Sequence, residues 1–335
     1  MQKNRKPDPA SPAAPQERRA NLLDLYPALS PYSSGFLSVD EIHTLYWEQS
    51  GNPDGIPVVL LHGGPGEGAT PTHRRFSDPD HYRIIIFDQR GAGRSTPLGE
   101  IRNNTLPDLL ADMERLRNHL NITRWHIFGG SWGSTLALAY AQKFPQNCIS
   151  LILRGIFLME QSEVDWFLYG MRSIFPEAWE QFSSFLPEEE QYDLLEGYYQ
   201  VLTTGSVEKQ TEAAIRWSLY EGACASLVPN YETITTDEQK RYVHAMARIE
   251  AHYFRNNVIA LDQSLLHKID ALRSVPATIV QGRYDVICPI QTAHRLHQAW
   301  PEADYVIVPD GGHSLLEPSV RSRLIEATDQ ARRLR

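Results

Sequence analysis

The stretch Gly129-Gly130-Ser131-Trp132-Gly133 constrains what this chain can fold into more than any other. It fits Gly-x-Ser-x-Gly, with the apolar run Trp125-His126-Ile127-Phe128 before it. Ser134 to Gln142 follow, strong helix formers without glycine or proline. The pattern predicts a strand, a sharp turn and a helix. A serine at such a turn is held in a strained conformation that exposes its hydroxyl, and small neighbours let the chain bend that sharply. Ser131 is therefore the expected nucleophile.

A serine hydroxyl near neutral pH needs a base, and the base needs an orienting acid. The C-terminal third supplies both, in the chain order Ser, Asp, His. The strand Ala277-Thr278-Ile279-Val280 runs into Gln281-Gly282-Arg283-Tyr284-Asp285, and Tyr305-Val306-Ile307-Val308 runs into Pro309-Asp310-Gly311-Gly312-His313. Asp285 and His313 are thereby expected at matching carboxyl ends of neighbouring strands, where open α/β sheets gather their active groups. Asp310 competes with Asp285 for the acid role but shares the histidine's own loop. Of the 12 histidines, only His313 follows a strand with glycines that free its backbone. The third element is His62-Gly63-Gly64-Pro65-Gly66, directly after Val58-Val59-Leu60-Leu61. Glycines there can turn backbone N–H groups toward a developing oxyanion. Pro65 has no N–H, so Gly64 is the expected first donor and Trp132 the second, with His62 as a positioner.

Strands alternate with helices from about Pro31 to Ile156: a hairpin around Gly35 to Gln49, then Val58–Leu61, Ile84–Phe87, Trp125–Phe128 and Leu151–Leu153. Between them Leu109, Leu110, Met113, Leu116 and Leu120 follow a helical period. Such alternation predicts a mostly parallel sheet flanked by helices. Residues 157–265 read instead as aromatic-rich helices, an inserted cap, and strands resume in 266–335. The core is thus expected over 23–156 and 266–335, with a disordered tail over 1–22. The net charge of −9 argues against nucleic acid or an anionic membrane as partner. No apolar run is long enough to span a bilayer. Cys148, Cys224 and Cys288 form no disulfide or zinc spacing, which points to a reducing cytoplasm. Gly91 and Gly93 do not complete a dinucleotide fingerprint, and no metal or organic cofactor is expected. Oligomeric state is left open.

Over about Leu25 to Glu326 the chain resembles the proline iminopeptidase (prolyl aminopeptidase) family, serine peptidases of the α/β-hydrolase fold. The matching motifs are the His62 to Gly66 loop, Asp88-Gln89-Arg90-Gly91-Ala92-Gly93-Arg94-Ser95, and Gly129 to Leu136. Arg154-Gly155-Ile156-Phe157, Gly282-Arg283-Tyr284-Asp285 with Cys288-Pro289, and Gly312-His313-Ser314 with Glu317-Pro318 complete them. The resemblance implies release of N-terminal proline from peptides. It also implies that Glu221 and Glu250 hold the substrate amine and that Phe157, Phe167, Phe254 and Cys288 line the proline pocket; Arg154 reads as a cation positioning these carboxylates, and a structural salt bridge fits it equally well. Phe167 stands where a relative may carry tyrosine, and Tyr220 where the family often has tryptophan. A carboxylesterase or acyltransferase of the same fold is the alternative; it would share the triad without needing the paired glutamates.

Overall fold

The computed structural model describes residues 22–228, 233–256, 258–260 and 263–335. The expected tail over 1–22 lies outside them except for its last residue. The strands are β1 (Ser33–Ser38), β2 (Thr44–Gly51), β3 (Ile56–Leu61) and β4 (Tyr82–Phe87), followed by α1 (Leu106–His119), β5 (Trp125–Ser131), α2 (Trp132–Lys143) and β6 (Cys148–Ile156). They join β7 (Ala277–Gly282) and β8 (Asp304–Val308) in one eight-stranded sheet of order β1-β2-β4-β3-β5-β6-β7-β8. The first two strands form the expected hairpin, and β2 runs antiparallel to β4. All pairings from β4 onward are parallel.

The central strands Ile56–Leu61 and Tyr82–Phe87 are nearly continuous apolar runs because helices cover both faces of the sheet. Helix α1 buries Leu109, Leu110, Met113 and Leu116, the periodic residues. Leu120, expected to extend the helix, is instead its C-cap.

Between β6 and β7 the described chain contains no strand. It comprises α3 (Gln161–Asp165), α4 (Pro176–Ser183), α5 (Leu194–Thr204), α6 (Val207–Cys224) and α7 (Asp237–Asn256), joined by shorter helical turns. Phe182 stacks on both Tyr198 and Tyr220, with centroids 4.4 and 4.6 Å apart. Trp217 packs edge-on against Phe182. One apolar interior runs unbroken from Leu136 under the sheet through Phe157 and Phe167 to Trp217 in the insertion. Two helices complete the core after the insertion: α8 (Ile290–Ala299) between β7 and β8, and α9 (Pro318–Ala331) after β8.

Candidate active site

Ser131 ends β5 and caps α2 with φ of 56°, a left-handed conformation that only a constrained turn imposes on a non-glycine residue. Its glycine neighbours are required by close approach. A Cβ at Gly129 would lie 2.2 Å from the Gly133 carbonyl, and one at Gly133 2.3 Å from the Leu61 carbonyl. The strand, the helix and the loop after β3 are therefore locked together around the serine. Its hydroxyl stands at the N-terminus of α2, whose unpaired N–H groups favour negative charge. Trp132 is fully buried, its indole donating to Gln89 Oε1 at 2.8 Å. His62 braces the same loop. Its Nε2 accepts from the Gln89 N–H at 3.0 Å, and burial keeps the ring below its ordinary pKa and hence neutral.

Asp285 and His313 meet across the ends of β7 and β8. Nδ1 of His313 lies 2.9 and 3.0 Å from the two Asp285 oxygens. Asp285 also accepts from the Cys288 N–H and from Gln281 Nε2, which fixes its rotamer. Asp310 is turned away, accepting from Ser319 at the surface. Glu317 accepts from the Gly312 N–H beside His313 and from the Leu227 N–H after α6, at 3.1 Å for the latter. The histidine loop is thus tied to the insertion.

The other histidine nitrogen does not reach Ser131 by a hydrogen bond here. Nε2 lies 3.2 Å from Nη1 of Arg154, which also donates to the His313 carbonyl at 2.9 Å. The guanidinium lies flat on Gly130, where a Cβ would stand within 2.9 Å of three of its atoms. Burial pulls Arg154 below its ordinary pKa, with Asp285 the strongest opposing charge. Arg154 therefore bonds the histidine, and neither Glu221 nor Glu250, the carboxylates the sequence assigns to it. The reason is topological: β6 lies between β5 and β7, so Arg154 near its C-terminal end meets the loop of His313 rather than the insertion.

A small cavity opens between the sheet and the insertion. Its walls include Gly64, Ser131, Glu221, Glu250, Phe157, Phe167, Phe254 and Cys288, and so every other residue expected at a substrate site. Glu250 is 1% exposed and accepts from the Trp217 indole at 2.8 Å. Glu221 and Glu250 bond to each other, which requires a proton between them. Burial pushes Glu221 up to about 7, helped by the like charge of Glu67, and drives Glu250 well above the usual carboxylate range. Phe167 and Phe254 contact edge-on at 5.5 Å, and Phe157 leans on Phe254. The Tyr220 hydroxyl donates to the Phe167 carbonyl at 2.7 Å, so that departure shapes the wall from behind. Burial holds the Cys288 thiol well above its ordinary pKa.

Two lining residues escaped sequence reasoning. Ile287 precedes Cys288, and Glu163 projects from the start of α3. Glu163 accepts from the N–H groups of Leu158 and Glu160, and burial lifts its carboxyl to about 7. Its only trace in the sequence is the pair Glu160 and Glu163, which forms a capping box.

A half-buried serine on a strand-to-helix turn, with an Asp–His pair at the neighbouring strand ends of a mostly parallel sheet, defines an α/β hydrolase. Residues 56–319 match the family model described as alpha/beta hydrolase fold. Solved structures agree on the fold. A bromoperoxidase from Bacillus anthracis covers 89% of this chain and 99% of its own at TM-score 0.60 and 16% identity. A proline iminopeptidase-related protein from Thermus thermophilus covers 89% and 96% at TM-score 0.58 and 20% identity. Sequence relatives are far nearer. The chain is 51% identical over 313 residues to a probable proline iminopeptidase of Leptolyngbya boryana, covering 92% of this chain and 97% of that one. It is 50% identical to the proline iminopeptidase of Arabidopsis thaliana, covering 95% of this chain and 84% of that one. The chain belongs to the proline iminopeptidase family of α/β hydrolases.

Proposed function

We propose that this protein releases the N-terminal proline of peptides by acyl transfer through Ser131. The observation that carries the reading is the pair of half-buried Glu221 and buried Glu250 on the wall of the cavity that holds the serine. A desolvated carboxyl pair costs stability and is retained where a cation must be bound. The protonated prolyl nitrogen supplies that cation.

Ser131 attacks the prolyl carbonyl while His313 takes its proton. Asp285 holds the imidazole tautomer and stabilises the imidazolium. The N–H groups of Gly64 and Trp132 receive the oxyanion. The shortened peptide leaves with a proton from His313, and water then releases proline from the acyl-enzyme. His313 must first turn its Nε2 from Arg154 to Ser131; catalytic hydrogen bonds often tighten only when substrate is bound. Phe157, Phe167 and Phe254 enclose the pyrrolidine ring, and Arg154 fixes the histidine loop beneath them. The segment 157–265 acts as a cap over the 23–156 and 266–335 core. The cysteines Cys148, Cys224 and Cys288 are all free and buried, which fits a reducing compartment such as the cytoplasm. Among the described residues no helix is long and apolar enough to cross a membrane.

Hydrolysis of a prolyl arylamide, its N-acetylated twin and a p-nitrophenyl ester tests the reading. Fast cleavage of the free-amine substrate alone supports it. Equal cleavage of the blocked form, or of the ester only, would make the protein a general esterase.

A further inference from the structure

Glu67 is the acid of the loop 62–68, and the mechanism above leaves it without a task. A methyl built at Gly63 would stand 3.0 Å from Glu67 Oε2 and 3.6 Å from Ser131 Cβ, so the carboxylate flanks the reacting serine. The preceding residue pins the loop beneath α7: a methyl at Gly66 would meet Ile249 at 3.0 Å, the neighbour of Glu250. Among the described residues the Glu67 carboxylate makes no hydrogen bond or ion pair. Its charge instead bears on His73, His62 and Arg154, and on Glu221 and Glu250. A carboxylate beside two other carboxyls opposes their ionisation, and a cation bound between them offsets that repulsion.

We infer that Glu67 discriminates by charge: its carboxylate admits acyl groups that carry a positive charge and works against neutral ones. The inference rests on the amine-binding reading of Glu221 and Glu250. The tetrahedral intermediate places an oxyanion at the N–H groups of Gly64 and Trp132, in the loop that carries Glu67 and on the helix facing it. A fixed negative charge there opposes the oxyanion. A protonated nitrogen beside the reacting carbon offsets it. An ester or an N-blocked peptide brings no such charge and meets the repulsion in full. Specificity of this kind comes from rejecting the wrong substrate as much as from gripping the right one.

The test compares wild type, E67Q and E67D on the prolyl arylamide, its N-acetylated twin and the p-nitrophenyl ester. Glu67→Gln is expected to raise KM for the arylamide several-fold with kcat nearly unchanged. It should also raise kcat/KM for the ester several-fold. Glu67→Asp, which keeps the charge, should stay near wild type on both. A parallel loss on every substrate would mean a loop disturbance and overturn the inference, as would no change on any. The underlying reading fails separately: a wild-type enzyme indifferent to the blocked amine removes the amine site, whatever E67Q does.

Discussion

Replacing Glu221 with glutamine separates what its charge does for substrate from what it does to the fold. The side chain keeps its size but loses the ionised form that pairs with the prolyl ammonium. A hydrogen bond to a charged group contributes about 1.5–3 kcal/mol, so kcat/KM on the prolyl arylamide should fall about 10- to 150-fold. Cleavage of the p-nitrophenyl ester should not slow. The effect on stability has the opposite sign. Burial moves the Glu221 carboxyl from 4.5 to about 7, so folding favours its protonated form. The folded chain therefore binds more protons than the unfolded one between those values, and wild-type stability declines as pH rises through that window. Above it the ionised group costs on the order of 3 kcal/mol, a cost that glutamine does not carry. For a chain of 335 residues, a melting entropy of about 0.7 kcal/mol/K converts that into a Tm about 4 °C higher for the variant. The gap should open between about pH 4.5 and pH 7 and then stay constant. Paired melting curves and kinetics across that range are the assay. A variant that melts below wild type at about pH 8.5, or that keeps its preference for the free amine, refutes the reasoning.

Other outcomes follow from the same geometry. Ser131→Ala should lower kcat at least ~10³-fold while circular dichroism and Tm stay unchanged; a retained rate would displace Ser131 as nucleophile. Glu317→Ala leaves the Gly312 and Leu227 N–H groups without their acceptor. It should cost about 1–3 kcal/mol of stability and lower kcat more than it raises KM, because the histidine loop loses its tie. Cys288 is buried, and burial disfavours its thiolate. Bulky thiol reagents should therefore inhibit slowly, and more slowly still with a prolyl ligand bound. Full activity after complete modification of Cys288 would remove it from the pocket.

The strand ends that carry Ser131, Asp285 and His313 were legible because each has a local signature. The turn at Ser131 needs glycines on both sides, and the loops of Asp285 and His313 each follow an apolar run of strand length. Glu221 and Glu250 became legible only through the resemblance, since an acid on a helix in an acidic chain normally faces water. The partner of Arg154 could not be read, because it depends on β6 lying between β5 and β7, which no local pattern states. Glu67 and Glu163 were missed for a related reason. One looks like a polar loop residue and the other like a helix cap, and only the third dimension brings Glu67 beside Gly63 and Glu163 onto the cavity wall. The aromatic run of the insertion was correctly expected to be helical, but its register against the sheet was not legible.

The rings proposed to bound the proline pocket are also the keystones of the insertion. Phe167 leans on Trp217, Tyr220 and Phe254 at once, and Trp217 in turn bonds Glu250. Enlarging the site for a bulkier residue by trimming Phe167 or Phe254 would open a void in that cluster, at about 3–5 kcal/mol per ring. Substrate range and structural robustness thus draw on the same atoms, so neither can drift far alone. A lineage or an engineer seeking a broader enzyme would have to reinforce the insertion elsewhere before widening its pocket.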